Sequence, residues 1–584
     1  MKIMKKYLSM IVASLLAVAC VDTQILPNDK TVEEDFWKSK SDVQLMVNGA
    51  YQAMLSENVI ARLIIWGELR SEEVVPVSSV VSTLQEDLAE INLANTKTDN
   101  QFASWADLYA VINRCNLVLD KAAQVMSEDP SYTEGDYLAD CSQMLALRAL
   151  CYFYLVRNFR DVPYITSSYT DSSQDRNVPQ SAPDAVLSGC IADLETAEKN
   201  AISAGAYTDW RRVGYLTRDG IDALLADIYL WRASIKHDAA DYEKVIEYCD
   251  KVIASKKSQH VKQRNEVEDK EYWLADGRSA FSVLYITPQN AEESIYELQF
   301  QSGTNANNAI LHYYNHYNGG SGQAPYLFAS SILGYGKEAF QTGPSKITTD
   351  WRGLMDTYNE QKTAGDFDVF EIRKFVSENA AYSPSRTTDK ADTKANYTNA
   401  STNFIIYRLT DVMLMKAEAL TALATDDDDV ERLHAAFDLV YEVNLRSMDT
   451  DNMSDDALKW GSYSGAGSMG YMEELILQER LREFCFEGKR WYDLLRYSFR
   501  HTEGIDYSTT LAQQADNEAT FPKTYNEMLT LMKRKLAGKG NAVAAKLTTE
   551  PALYMPIPES DINVCPILRQ NPNYSNIDNI NKNY

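Results

Sequence analysis

Apolar residues recur at steps of three and four positions along most of this chain. The clearest case is TRDGIDALLADIYLWRASI at 217–235, where a single apolar stripe follows the spacing of an amphipathic helix. A second stripe, in DYEKVIEYCDKVIAS at 241–255, begins at the end of the polar turn KHDAAD. The pattern therefore predicts two consecutive helices joined by a short turn.

Four further pairs of amphipathic segments follow the same rule. Two helices in about 34 residues have the spacing of a tetratricopeptide unit, and such units stack because each alone would leave its apolar stripe in water. The sequence thus predicts a mostly α fold, a tetratricopeptide-like helical repeat scaffold. The other predicted pairs are 41–55 with 104–126, 141–159 with 183–200, 404–424 with 431–448, and 473–488 with 489–499.

The helical pattern is interrupted between residues 256 and 403. This segment has short apolar runs, many glycines and polar stretches such as ENAAYSPSRTTDKADTKANYTNA. An insertion of this length between helix pairs is typical of a functional cap, so an irregular, loop-rich, ligand-binding insertion is predicted. The predicted organisation is an export signal at 1–20, a tether at 21–35, helical repeats at 36–255, the insertion at 256–403 and a C-terminal region at 404–584.

The N-terminal segment has the layout of an export signal. Three lysines precede a short apolar run that ends just before Cys20, and no later stretch is long and apolar enough to cross a bilayer. Ala17-Val18-Ala19 fits ordinary signal cleavage, while the small residues directly before Cys20 fit a lipoprotein signal, although Leu16 lies four residues before the cysteine instead of three. Both interpretations place the protein outside the cytoplasm.

The charge and the cysteine content of the chain argue against several classes of partner and site. A net charge of −26 would repel phosphate backbones, so nucleic acid is not an expected partner. Seven cysteines remain beyond Cys20, with no C-x-x-C pair, which favours buried thiols over disulfides or a metal site. His312 and His316 lie four residues apart, but the glycines that follow favour a loop over a metal-binding helix. No metal and no cofactor are predicted.

Three motifs that resemble catalytic or binding sites have simpler interpretations. GAGSMG at 465–470 lacks the preceding buried strand of a dinucleotide site and is interpreted as a helix entry. The acidic run 426–429 lacks the calcium-loop pattern and is interpreted as the start of a helix. Glu479 and Glu483, beside two arginines, are predicted to form ion pairs that lock a helical hairpin instead of a catalytic centre.

Four blocks spread over the chain resemble the RagB/SusD family of SusD-like proteins. They are the cysteine-tipped export signal, SWADLYAVINRCNLVL at 104–119, ERLREFCFEGKRWYDLLR at 479–496 and YMPIPESDINVCPILRQNPNY at 554–574. The resemblance implies a surface-exposed outer-membrane lipoprotein anchored through Cys20. It also implies capture of glycans for a SusC-like TonB-dependent transporter, without catalysis. A peptide ligand and, less favoured, surface glycoside hydrolysis are the alternatives.

The aromatic content of the insertion suggests where a glycan would bind. Residues 313–335 hold six aromatics among glycines and asparagines, without steady periodicity, and flat rings suit the apolar faces of sugars. Because packing of the insertion's own core would explain the same rings, these assignments rest on composition alone. The predicted ligand-binding residues are Tyr313, Tyr314, Asn315, Tyr317, Tyr326 and, in a separate stretch, Trp273.

Overall fold

A computed structural model describes most of the chain. It covers residues 36–76, 82–170, 173–264, 272–275, 277–286, 290–301, 303–314, 326–333, 338–340, 350–364, 367–376, 401–448, 458–535 and 540–575. Cys20 and the predicted tether lie outside these residues. Within the described ranges, no helix combines the length and the apolar character needed to cross a bilayer.

Helices dominate the described residues. In chain order they are α1 Lys40–Met54, α2 Glu57–Ile64, α3 Thr83–Asn92, α4 Ala106–Glu128, α5 Glu134–Phe159, α6 Pro183–Asn200, α7 Arg211–Gly214, α8 Arg218–Lys236, α9 Ala239–Arg264, α10 Gly277–Tyr285, α11 Asn308–Tyr314, α12 Arg352–Met355, α13 Leu409–Leu423, α14 Val430–Ser447, α15 Ser468–Phe484, α16 Arg490–Arg500, α17 Leu511–Asp516, α18 Asn526–Lys533, α19 Gly540–Lys546 and α20 Glu559–Val564. A π-helical turn, Ile65–Leu69, continues α2.

The predicted helix pairs pack as pairs. α1 lies against α4, α5 against α6, α8 against α9, α13 against α14, and α15 against α16. α9 also packs on α13, so the helices on the two sides of the insertion form one continuous stack. The shared core encloses large side chains such as Trp66, Trp231 and Trp491 completely. The prediction of a mostly α fold built from stacked helix pairs is confirmed.

The insertion is more regular than its sequence suggested. Three of its strands pair with an N-terminal strand in an antiparallel sheet of order β1-β5-β7-β6. Because Val74 pairs with Ala329, this sheet joins the insertion to the first part of the chain. The strands are β1 Val74–Pro76, β2 Val162–Pro163, β3 Gln180–Ser181, β4 Ser294–Leu298, β5 Leu327–Ser330, β6 Thr357–Ala364, β7 Phe367–Ile372 and β8 Phe404–Arg408.

One predicted helix begins later than expected. Residues 404–408, FIIYR, form β8 and pair antiparallel with β4, and α13 begins only at Leu409. All five residues of β8 are buried. A short apolar run buried on both faces fits a strand and a helix equally well, so periodicity could not separate the two.

The acidic run 426–429 caps two helices. Asp429 is the N-cap of α14, where its side chain accepts a hydrogen bond from the Arg432 amide. Asp427 accepts hydrogen bonds from the amides of Gly467, at 2.6 Å, and Met469, at 3.1 Å, at the start of α15. Carboxylates are favoured at helix N-termini because they accept hydrogen bonds from the free amides and because their negative charge interacts favourably with the helix dipole. The interpretations of the acidic run as a helix start and of GAGSMG as a helix entry are confirmed.

Glu483 lies at the centre of a buried ion network. Arg352 Nη1 is 2.7 Å from Glu483 Oε2 and 2.7 Å from Glu479 Oε1. Arg408 and Arg446 also form ion pairs with Glu483. Burial alone would raise the pKa of the Glu483 carboxyl, but the three guanidinium groups hold it well below its usual range.

The network extends beyond the hairpin that the sequence predicted. Arg480 does join α15 to α16, because its guanidinium lies 2.9 Å from Asp493. The three arginines around Glu483, however, come from α12, β8 and α14. The ion pairs therefore hold the insertion and the C-terminal helices together, and the predicted hairpin lock is only one part of them.

The cysteines are packing residues. Within the described chain the thiols are free, and Cys115, Cys151, Cys190, Cys249 and Cys485 are buried. Burial in apolar surroundings raises the pKa of a thiol such as Cys115, to about 12, which makes it unreactive. The prediction of buried thiols is confirmed for these five residues.

Candidate functional site

Tyr326 is a partly exposed ring of the insertion. It directly precedes β5, and its backbone amide donates to the carbonyl of His312 at 3.1 Å. The Tyr326 ring rests against Tyr313, with ring centroids 5.6 Å apart. The Tyr313 ring in turn contacts Phe102 edge-on. The core thus holds the ring of Tyr326 from beneath while part of it stays accessible.

Polar side chains from three other elements, α2, α4 and α11, belong to the same region: the charges of Glu57 and Arg62 act on the Tyr313 ring, against which Tyr326 rests. His312, which is 46% exposed at its side chain, pairs with Glu57 of α2 through Nδ1 at 2.7 Å. Arg62, also on α2, pairs with Asp107 of α4 and donates to the carbonyl of Gln101 at 3.2 Å. We call this surface the Tyr326 face and define it by Glu57, Arg62, Asp107, His312 and Tyr326. It combines an aromatic surface with charged donors and acceptors, which suits a ligand that carries many hydroxyl groups.

The structure places two of the predicted ligand-binding tyrosines in the core. Tyr313 is 5% exposed and Tyr314 is 0% exposed. The hydroxyl of Tyr314 donates to the carbonyl of Phe486 at 3.2 Å. Both rings belong to α11, which packs against α2. The prediction that they form an open platform is therefore wrong for these two residues. A variant lacking Tyr314 would test folding instead of binding.

The remaining predicted residues are not brought together with Tyr326 by any described contact. Asn315 and Tyr317 lie outside the described residues. Trp273 is half-buried and stacks on His260, with ring centroids 3.5 Å apart. His260 contacts Glu292 at 2.6 Å, which ties Trp273 to the segment before β4. The role of Trp273 in binding stays a prediction.

Sequence reasoning missed the polar part of the Tyr326 face. Glu57 and Arg62 belong to a short apolar helix, and nothing in its pattern indicates which of its polar residues lies near the insertion. His312 was expected in a loop, but it lies in α11. Only the four-residue spacing to His316 singled out His312, and it suggested a metal site. Among the described residues, no cluster of three metal-ligating side chains occurs.

A pair of buried glutamates lies beneath the insertion. Glu68 of the π-helical turn accepts hydrogen bonds from the amides of Gly488 and Lys489. Burial raises the pKa of Glu68 to about 7, and burial followed by the charge of Glu68 raises the pKa of Glu73 well above its usual range. Two buried carboxyl groups that are hydrogen-bonded to each other repel when both are charged, so the pair holds a proton. Both are fully enclosed, so a polysaccharide cannot reach them.

Replacing Glu73 by glutamine should therefore stabilise the protein at high pH. The pKa of each glutamate is higher in the folded state than its usual value of 4.5. The pair therefore contributes most to stability below pH 4.5, and this contribution to the free energy of unfolding is lost as the pH rises towards 7 and beyond. Glu73→Gln keeps a donor towards Glu68 but needs no proton. We expect nearly equal denaturation midpoints for wild type and variant at pH 5, and a gain of about 1–2 kcal/mol for the variant at pH 8. Glu474→Gln, on the exposed side of α15, should show no such difference. A Glu73→Gln variant less stable at both pH values would contradict the shared proton.

These features define a helical-repeat protein with an inserted antiparallel sheet and an aromatic, polar face where the sheet meets the first helices. The family model described as "SusD family" matches residues 215–574, and the model "Starch-binding associating with outer membrane" matches residues 26–230. The chain belongs to the SusD family.

Individual relatives agree with this assignment along most of the chain. SusD-like protein P38 from Formosa agariphila is 24% identical over 483 residues, which cover 81% of this chain and 87% of the relative. SusD-like protein P2 of the same organism is 24% identical over 512 residues, which cover 84% and 91%. The crystal structure of a SusD homolog from Bacteroides thetaiotaomicron matches with a TM-score of 0.67 at 17% identity, over 93% of this chain and 99% of that one. At this identity the structural match shows the fold alone.

Proposed function

We propose that this protein is a cell-surface lipoprotein that binds oligosaccharides and passes them, without cleavage, to a SusC-like TonB-dependent transporter of the outer membrane. The observation that carries the proposal is the Tyr326 face, an aromatic surface with polar groups around it on a chain of the SusD family. A sugar ring has apolar C–H faces and a rim of hydroxyls, so it needs both kinds of contact at once.

The energies fit capture followed by release. A tyrosine that covers several tens of Å² of sugar surface contributes about 1–2 kcal/mol. One or two such rings with several hydrogen bonds reach about 4–8 kcal/mol, which corresponds to millimolar to micromolar affinity. Binding of this strength retains a ligand at the cell surface and still lets it go to a transporter.

Lipidation of Cys20 supplies the attachment in this proposal. Each buried methylene group adds about 0.8 kcal/mol, so two or three acyl chains hold a protein firmly at a membrane. The acidic tether at 21–35 then separates the anchor from the folded body. Labelling of cells with radioactive palmitate, with a Cys20→Ala variant as control, tests this attachment, and equal labelling of both proteins would contradict it.

Replacing Tyr326 by alanine should weaken glycan binding about tenfold. The variant removes the exposed ring but none of the ion pairs around it, and tenfold corresponds to about 1.4 kcal/mol. The assay is isothermal titration calorimetry of the mature chain, residues 20–584, with neutral oligosaccharides derived from starch, xylan, mannan and β-glucan. Tyr471→Ala is the matched control, because Tyr471 is 50% exposed on α15 and lies outside the face.

Titration with peptides and an assay for new reducing ends complete the test, and three outcomes would contradict the proposal in different ways. Equal affinity of wild type and Tyr326→Ala would remove the Tyr326 face as the binding site. Binding of peptides, without binding of any oligosaccharide, would show that the ligand is a peptide and not a glycan. New reducing ends in the sugar after incubation with the wild-type protein would show hydrolysis in place of simple binding.

A further inference from the structure

We propose that a second saccharide site lies in the helical scaffold, in a cleft between α1, α5 and the segment that leads into α8. The cleft has a volume of about 350 Å³, within the range of small-molecule sites. We call it the helical cleft and define it by Asn48, Asp140, Gln143, Tyr207, Arg211 and Tyr215, which line it. It shares no residue with the Tyr326 face.

One wall of the helical cleft is aromatic. Tyr207 and Tyr215 contact each other edge-on, with ring centroids 6.2 Å apart. Tyr215 is fixed from behind by Tyr51, on which it stacks at 4.9 Å. The guanidinium of Arg211 lies 5.0 Å from the centre of the Tyr207 ring. Because these rings are already held in place, a ligand that stacks on them loses little side-chain entropy.

Two amide side chains also line the cleft. Asn48 accepts a hydrogen bond from the Tyr215 hydroxyl at 2.8 Å, and Gln143 accepts one from the Tyr51 hydroxyl at 3.1 Å. Both bonds use the carbonyl oxygen of the amide. In the described part of the chain, the amide nitrogens of these two residues have no hydrogen-bond acceptor, so they can donate to a ligand. Gln143 is only 7% exposed, which places its amide deep in the cleft.

Asp140 provides an acceptor at the base of the cleft. Its carboxylate receives a hydrogen bond from the Tyr132 hydroxyl at 3.0 Å through one oxygen, and the other oxygen has no donor among the described residues. Asp140 is 8% exposed, and burial raises its pKa to about 6. The second oxygen is open to the cleft, where a sugar hydroxyl can donate to it.

The charges around the cleft favour a neutral ligand. Lys40 pairs with Asp136 at 2.8 Å and Arg211 pairs with Asp209 at 2.8 Å, so these four charges balance. The charge of Asp140 remains, which disfavours carboxylated or sulfated sugars. Flat rings, amide donors and a carboxylate acceptor in this volume suit one or two neutral sugar residues. In combination with the Tyr326 face, the cleft would hold a long glycan at two points and raise its apparent affinity.

This inference rests on the proposed function for its ligand class, but the two can fail separately. The experiment uses saturation-transfer difference NMR on the mature chain, residues 20–584, with glucose, galactose, mannose, xylose, maltose and cellobiose as probes. The variants are Tyr326→Ala alone, Tyr207→Ala alone, and Tyr326→Ala combined in turn with Tyr207→Ala, Tyr207→Phe and Asp140→Asn, with Tyr471→Ala as control. Equal denaturation midpoints for Tyr207→Ala and wild type confirm that the variant is folded.

We expect at least one neutral probe to bind the Tyr326→Ala protein. When Tyr207→Ala is introduced into the same protein, this remaining binding should weaken about tenfold. Tyr207→Phe should keep it, because the ring and not the hydroxyl forms the wall. Asp140→Asn should weaken this binding while leaving the contact with Tyr132 possible.

Loss of all binding in Tyr326→Ala would overturn the helical cleft and leave the proposed function intact. Unchanged binding in Tyr326→Ala with loss in Tyr207→Ala would support the cleft and overturn the Tyr326 face. Absence of binding by the wild type would overturn both.

Discussion

Replacing Glu483 by alanine should lower the free energy of unfolding by about 3–5 kcal/mol, the usual cost of removing one member of a buried ion network. Glu483 is almost completely buried, and its carboxylate faces Arg352, Arg408 and Arg446. Without it, three guanidinium groups remain enclosed with too little negative charge. The midpoint of chemical denaturation, followed by circular dichroism, measures the loss.

A control on the same helix separates charge from helix propensity. Glu474 is exposed on α15, so Glu474→Ala should change the unfolding free energy by less than about 0.5 kcal/mol. Glu483→Gln, which keeps the shape but not the charge, should lie close to Glu483→Ala, because a neutral amide cannot balance three arginines. If Glu483→Gln matched the wild type, the packing of the side chain and not its charge would be the stabilising factor.

The second large effect is expected at Gly67, where two segments of the backbone meet. A Cβ atom added at Gly67 would lie 2.0 Å from the carbonyl oxygen of Gly488. Gly488 itself has a positive φ of 75°, which side chains rarely adopt, so this turn cannot easily move away. Gly67→Ala should therefore cost about 3 kcal/mol, at the upper end of the range for overpacking.

Gly49 offers the matched control for this substitution. It lies inside α1 and has nothing within 4 Å of an added Cβ. Gly49→Ala should stabilise the protein by about 0.5–1 kcal/mol, because alanine favours the helix. A Gly67→Ala protein as stable as the wild type would show that the π-helical turn and the turn at Gly488 can separate.

The close approach at Gly67 also explains the position of the buried glutamate pair. Because the π-helical turn touches the turn at Gly488, the carboxylate of Glu68 reaches two backbone amides after α15. The same contact fixes Phe486, against which Tyr314 packs. The base beneath α11 and Tyr326 is therefore formed by three features. They are the backbone contact between Gly67 and Gly488, the pair of buried glutamates and the ion network around Glu483.

The sequence alone determined the helical segments, the start of α14 at the acidic run and the burial of the cysteines. These features depend on neighbours within a few positions, and the periodicity of apolar residues records them directly. The same pattern failed at residues 404–408, where burial on both faces removes the periodicity that would separate a strand from a helix.

Only the tertiary structure decided which rings are accessible and which charges meet. Tyr313, Tyr314 and Tyr326 look alike in the sequence, yet α2 and Phe486 enclose the first two and leave the third partly open. Glu483 meets Arg352, which lies 131 residues earlier in the chain. The lining of the helical cleft likewise comes from three separated segments. Exposure and ion pairing depend on distant segments that pack together, and no local pattern encodes which of them become neighbours.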